Sequence, residues 1–171
     1  MRTEGKRQPA APARRRSLNR LAAWALQWGP ALGLSAAIYW LSSSPKLGRP
    51  NLVVTFLADL FGDRAWFSRV LPIVQRLDAA SSWLAHFAEF ALLALAWRWA
   101  LHGVQIQRRH KSLLAWLLTA LYAVADEWHQ SFVPGRHADW RDVAVDIAGA
   151  TFALAALAFI RRRRNSRAGK P

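Results

Sequence analysis

Apolar residues in this chain are gathered into long blocks. Four stand out: about Leu18–Leu41, Ser82–Leu101, Ser112–Phe132 and Arg141–Ile160. Each approaches the ~20 residues a helix needs to cross a bilayer's hydrocarbon core. The pattern predicts an all-α protein, a four-span transmembrane helix bundle. Ser42–Ser43–Ser44–Pro45 ends the first block, and Pro134–Gly135 makes a tight turn between the third and fourth. The first block has no clear small-residue cleavage site, so it reads as a retained anchor.

Residues 46–80 connect the first two blocks. NLVVTFLADLF is too short to span. RAWFSRVLPIVQRLDAA places Trp66, Val70, Ile73 or Val74, and Leu77 on one helical face. Pro72 is expected to kink or split that helix. The expectation is one or two extracytoplasmic amphipathic helices at the membrane surface, or the same helices packed on the bundle as scaffold. Residues 1–17 read as a disordered basic tail, 18–160 as the membrane domain and 161–171 as a second basic tail.

Charge supports this organisation. The 171 residues carry a net charge of +14. Its basic clusters are Arg2–Arg20, Arg108–Lys111 and Arg161–Arg164, and each abuts an apolar block. With four spans, all three fall on one side, as the positive-inside rule requires. The reading is a multi-pass membrane protein with both termini cytoplasmic. No nucleic-acid motif appears, so membrane lipids are the expected partners. The ten tryptophans lie mostly at block ends, where an indole suits the headgroup region. There is no cysteine, which excludes disulfides, thiol catalysis and zinc–thiolate sites.

The acidic residues inside the blocks, together with His86, are confined to one level. His86 and Glu89 share a face of the second span at i,i+3 spacing. Asp126, Glu127 and Gln130 stand near the outer end of the third. Arg136 and Asp139 come from the turn, and Asp142 and Asp146 lie at i,i+4 in the fourth. Six of the ten acidic residues are in these three places. A carboxylate at mid-span costs roughly 2.5–3.5 kcal/mol on insertion scales, so the placement calls for a reason. A polar pocket open to the outer face would supply one. The alternative is a set of buried ion pairs fixing helix register, with Arg136 or Arg141 against Asp142 or Glu127.

These residues resemble the VanZ-like family of small bacterial membrane proteins. The resemblance rests on HFAEF (His86–Phe90), DEWHQSFVPGRHADWRDVAVDIAGA (Asp126–Ala150) and SSSPK (Ser42–Lys46). Asp146 stands where the family usually has Asn, with Gly149 kept. Ser82 and Trp83 stand where many members carry a basic residue. The resemblance implies a four-span membrane protein, and the family is named for a protein that lowers susceptibility to the glycopeptide teicoplanin.

Two functions follow as expectations. The first is a non-enzymatic envelope protein whose pocket binds a lipid, a cell-wall precursor headgroup or another membrane protein. The second is a membrane-embedded, metal-dependent enzyme acting on an envelope lipid headgroup. His86, Glu89, Asp126, Glu127 and Asp142 would then be metal ligands or acid–base groups. The sequence by itself assigns no catalytic residue, metal or cofactor.

Overall fold

The computed structural model describes residues 13–43 and 52–168. The Arg2–Arg7 part of the basic tail and the Ser44–Lys46 part of SSSPK lie outside the described residues. Within them the chain forms α1 (Ala13–Ser42), α2 (Leu52–Phe61), α3 (Phe67–Ala100), a 3-10 turn (Leu101–Gly103), α4 (Arg108–Gln130) and α5 (Trp140–Ala168). No strand occurs among the described residues.

Side-chain contacts fix the direction of each helix. Phe87 meets Gly149, and further along both helices Ala94 and Leu101 pack with Ala150 and Leu154. α3 and α5 therefore run parallel. α4 runs against them: Ala115 joins the Ala94–Leu101–Leu154 cluster, whereas Ala123 joins Phe90 and Leu93 nearer the other end. α1 is also antiparallel to α3. Gln27 Nε2 donates to the Ala100 carbonyl at 2.7 Å, and Ile38 packs with Phe90. The result is an up-down-up-down arrangement of α1, α3, α4 and α5.

Small residues carry the core. Ala31, Ala94, Ala100, Ala115, Ala123 and Ala150 are fully or almost fully buried, with Phe90 and Leu93 between them. Small side chains let helices approach closely where lipid provides no hydrophobic drive between them. Large apolar residues such as Leu26, Leu84, Leu121, Phe152 and Phe159 point outward instead. A water-soluble bundle would reverse that distribution.

Among the described residues, three helices are long and apolar enough to cross a membrane: Arg20–Ser42, Phe67–Gly103 and Trp140–Arg167. α4 is not among them, because Arg108, Arg109 and Lys111 occupy one end and Asp126 and Glu127 the other.

Some boundaries differ from the expectation. The stretch expected to form its own surface helix is continuous with the second span, in one helix from Phe67 to Ala100. Neither Gly nor Pro occurs between Arg76 and Trp83 to break it. Pro72 sits near the helix start and leaves only the Ser68 carbonyl without its helical donor. The expected face remains, since Trp66, Val70, Ile73 and Leu77 are all exposed. α1 begins at Ala13, within the expected N-terminal tail, and α5 continues through Arg161–Arg164 to Ala168. Trp28, Trp97 and Trp116 pack partly buried against the core of the bundle. Trp28 meets Trp97 edge-on at 6.5 Å.

Candidate functional site: a polar cluster at one end of the bundle

The nine residues singled out in the sequence meet at the end of the bundle formed by the start of α5, the end of α4 and the middle of α3. Helix packing sets their level. A Cβ on Gly149 would collide with the Phe87 carbonyl oxygen. Only glycine allows α5 to come this close to α3, and the contact lies one residue from His86 and one turn from Asp146. At that crossing His86 Nδ1 donates to Asp146 Oδ1 at 3.2 Å. Asp146 is 0% exposed. The bond holds the imidazole with Nδ1 protonated and leaves Nε2 for another partner.

α4 contributes a second network. Gln130 Nε2 donates to Asp126 Oδ2 at 2.9 Å, and Gln130 Oε1 accepts from Arg136 Nη1 at 3.2 Å. Arg136 Nη2 reaches the Leu41 carbonyl at 3.1 Å, tying the α4–α5 turn to the last turn of α1. Gly135 sits at φ +81°, a left-handed conformation that places the next residue, Arg136, over the bundle. Asp126 and Glu127 are 4% and 5% exposed, and Gln130 is buried between its two partners.

Asp139 has a more structural place. Its Oδ1 accepts the Arg141 backbone N–H at 2.9 Å, which is N-terminal capping of α5. Its own N–H donates to Glu127 Oε2 at 2.8 Å. The Arg–carboxylate pairs expected as register locks are not formed among the described residues. Arg136 uses an amide and a carbonyl as acceptors, and Arg141 is exposed. The His86–Asp146 pair occupies that role.

Glu89 and Asp142 are half-buried and make no side-chain hydrogen bond among the described residues, yet both lie within coulombic reach of His86 and of Arg136. Carboxylates outnumber cations throughout this end.

Not every polar atom is satisfied. Asp126 Oδ1, Glu127 Oε1, Asp146 Oδ2 and Arg136 Nε are buried without a hydrogen-bond partner among the described residues. Such a group costs about 1–3 kcal/mol when left unpaired. Three spare acceptors on two helices can receive hydroxyl, amide or ammonium donors. Among the described residues no group of three or more His, Cys, Asp or Glu side chains is placed to hold a metal ion.

Three features at this end were not singled out in the sequence. His129 Nε2 donates to Ser43 Oγ at 3.0 Å, because the one Ser43 hydroxyl proton goes to the Tyr39 carbonyl. The His129 ring also stacks on Tyr39 at 4.6 Å. The Tyr122 hydroxyl donates to the Ser35 carbonyl. Each joins α4 to α1, and the only signal for them in the sequence was polarity near a helix end.

The family model described as VanZ/LLP1 matches residues 31–161, a range that takes in all nine cluster residues, the whole of α3 and α4, the last part of α1 and most of α5. No curated protein and no solved structure matches the chain.

Proposed function

The chain belongs to the VanZ/LLP1 family, and from that premise we propose a multi-pass protein of the bacterial cytoplasmic membrane whose outward-facing polar cluster binds the headgroup of a lipid or cell-wall-related ligand. Four helices cross in this reading. α3 and α5 are parallel neighbours with short connections to α4, so α4 must return the chain through the same thickness. Its 23 residues extend about 35 Å at ~1.5 Å per residue, enough to cross with its charged ends in the headgroup layers. The positions of the basic clusters favour cytoplasmic termini and an external acidic end, by the positive-inside rule.

The observation that carries the reading is the set of spare acceptors on Asp126, Glu127 and Asp146. A ligand presenting hydroxyls, amides or an ammonium would pair with them after a small rearrangement of side chains. Sugar and peptide parts of cell-wall precursors have such donors, and so do aminated or glycosylated lipid headgroups. Occupying an external ligand of this kind would alter what glycopeptides such as teicoplanin can reach.

Charge-neutral variants test this. In cells making normal membrane levels of each protein, Glu89→Gln, Asp126→Asn and Glu127→Gln are expected to raise teicoplanin susceptibility to that of cells lacking the protein. Wild-type susceptibility in all three would remove the cluster from the function.

One observation favours a second reading. Asp146 holds His86 as a fixed acid–base group with Nε2 available, which suits an enzyme acting on an envelope lipid headgroup. Turnover of such a lipid by the purified protein, lost in His86→Gln, would select this reading, and metal analysis of the same sample would decide its metal dependence.

A further inference from the structure

The other end of the bundle holds a charge with no carboxylate paired to it among the described residues. Arg98, on α3, is 5% exposed. It lies about 18 Å along the helix from His86, at ~1.5 Å per residue. Its Nε donates to Ser112 Oγ at 3.2 Å. The remaining donors of this five-donor group face no acidic side chain among the described residues. The positions of the acids explain why. Asp59, Asp63 and Asp78 belong to α2, the α2–α3 connection and the first half of α3, and six others form the cluster at the far end. Glu4 lies outside the described residues.

More positive charge is gathered around it. Arg108 and Arg161 lie within coulombic reach of the Arg98 guanidinium. Arg108 is at i,i+4 from Ser112, on the face of α4 that Arg98 touches. Arg161 continues the stripe of α5 that buries Ala150 and Leu154 against α3. The first turn of α4 adds to this. Its N-cap residue Gln107 makes no side-chain cap, and the turn contains no acidic residue. Its free N–H groups and the positive end of the helix dipole are therefore open to an anion. Exposed Trp99 stands beside Arg98, at a level where an indole meets lipid headgroups.

A topology signal needs only exposed basic residues, and Arg109 and Arg162–Arg164 are exposed. It does not account for a buried arginine within coulombic reach of two others. We propose that Arg98, Arg108, Arg161 and the uncapped start of α4 form a binding site for the phosphate of an anionic phospholipid, at the opposite end of the bundle from the acidic cluster. Guanidinium groups suit a phosphate by geometry as well as charge.

The test uses the purified full chain in mixed micelles, with affinity for phosphatidylglycerol followed by native mass spectrometry. Phosphatidylcholine and inorganic phosphate are the comparison probes. Arg98→Gln, Arg108→Gln and Arg161→Gln are each expected to weaken phosphatidylglycerol binding about tenfold or more, the scale of a lost charged hydrogen bond. Arg164→Gln, which removes the same charge outside the cluster, is expected to cost no more than about fivefold. Arg108 and Arg161 are exposed, so their variants keep the test valid if Arg98→Gln does not fold. Equal losses in all four variants, or equal binding of phosphatidylcholine, would overturn the site. An equal response to inorganic phosphate would assign it to a soluble phosphate and overturn the lipid.

Discussion

His86 and Asp146 come from positions sixty residues apart and meet where α3 crosses α5. Asp146→Leu leaves the His86 Nδ1–H without its acceptor, and unfolding in detergent should record a loss of about 1–3 kcal/mol. His86→Leu should cost a similar amount by leaving the carboxylate unpaired. The double variant should then cost less than the two losses added, with a coupling of about 0.5–3 kcal/mol. Strict additivity would show that the pair does not contribute. At this scale the sequence was informative about membership and poor on partners. The i,i+3 and i,i+4 spacings placed His86, Glu89, Asp142 and Asp146 on helix faces, since the helical period alone decides that. Which face turns toward which neighbour depends on packing rotation, so Arg136 was matched with carboxylates when its acceptors are Gln130 and the Leu41 carbonyl. Arg98 is hidden for the same reason, as nothing in WRWALHG says that its Arg is buried.

For the elements, hydrophobic blocks gave four bundle helices close to their observed positions, because twenty apolar residues have few other solutions. Boundaries were less legible where no breaker stands. The surface stretch and second span merge into α3, and α5 carries its helix through the basic run. Helix spacing was hidden too. Gly149 looks like an ordinary helix-weakening glycine, yet it is where α5 rests on the α3 backbone. Gly149→Ala should therefore destabilise the bundle by about 1–3 kcal/mol as an overpacking change. The atom in the way is a main-chain carbonyl, so a neighbouring rotamer cannot relieve it. The same variant should weaken the His86–Asp146 coupling, since the crossing sets that distance. Wild-type stability with unchanged coupling would show that the helices are not in contact there.

Across the whole molecule, the two ends differ in sign. One gathers carboxylates around His86 and Arg136, the other gathers arginines around Arg98. On that polarity rest the orientation proposed for the protein in a membrane and the different ligand proposed for each end. The cysteine-free chain allows a direct test of the orientation. His137→Cys places an exposed thiol in the α4–α5 turn, Gln107→Cys one before α4, and Ser166→Cys one near the end of α5. Each would be treated in intact spheroplasts with a thiol reagent that does not cross membranes. Labelling of His137→Cys alone, with the other two reacting only after permeabilisation, is the predicted result. It would put the acidic cluster at the outer surface and require α4 to cross. Labelling of Gln107→Cys and Ser166→Cys in its place would turn the cluster toward the cytoplasm and contradict an envelope ligand.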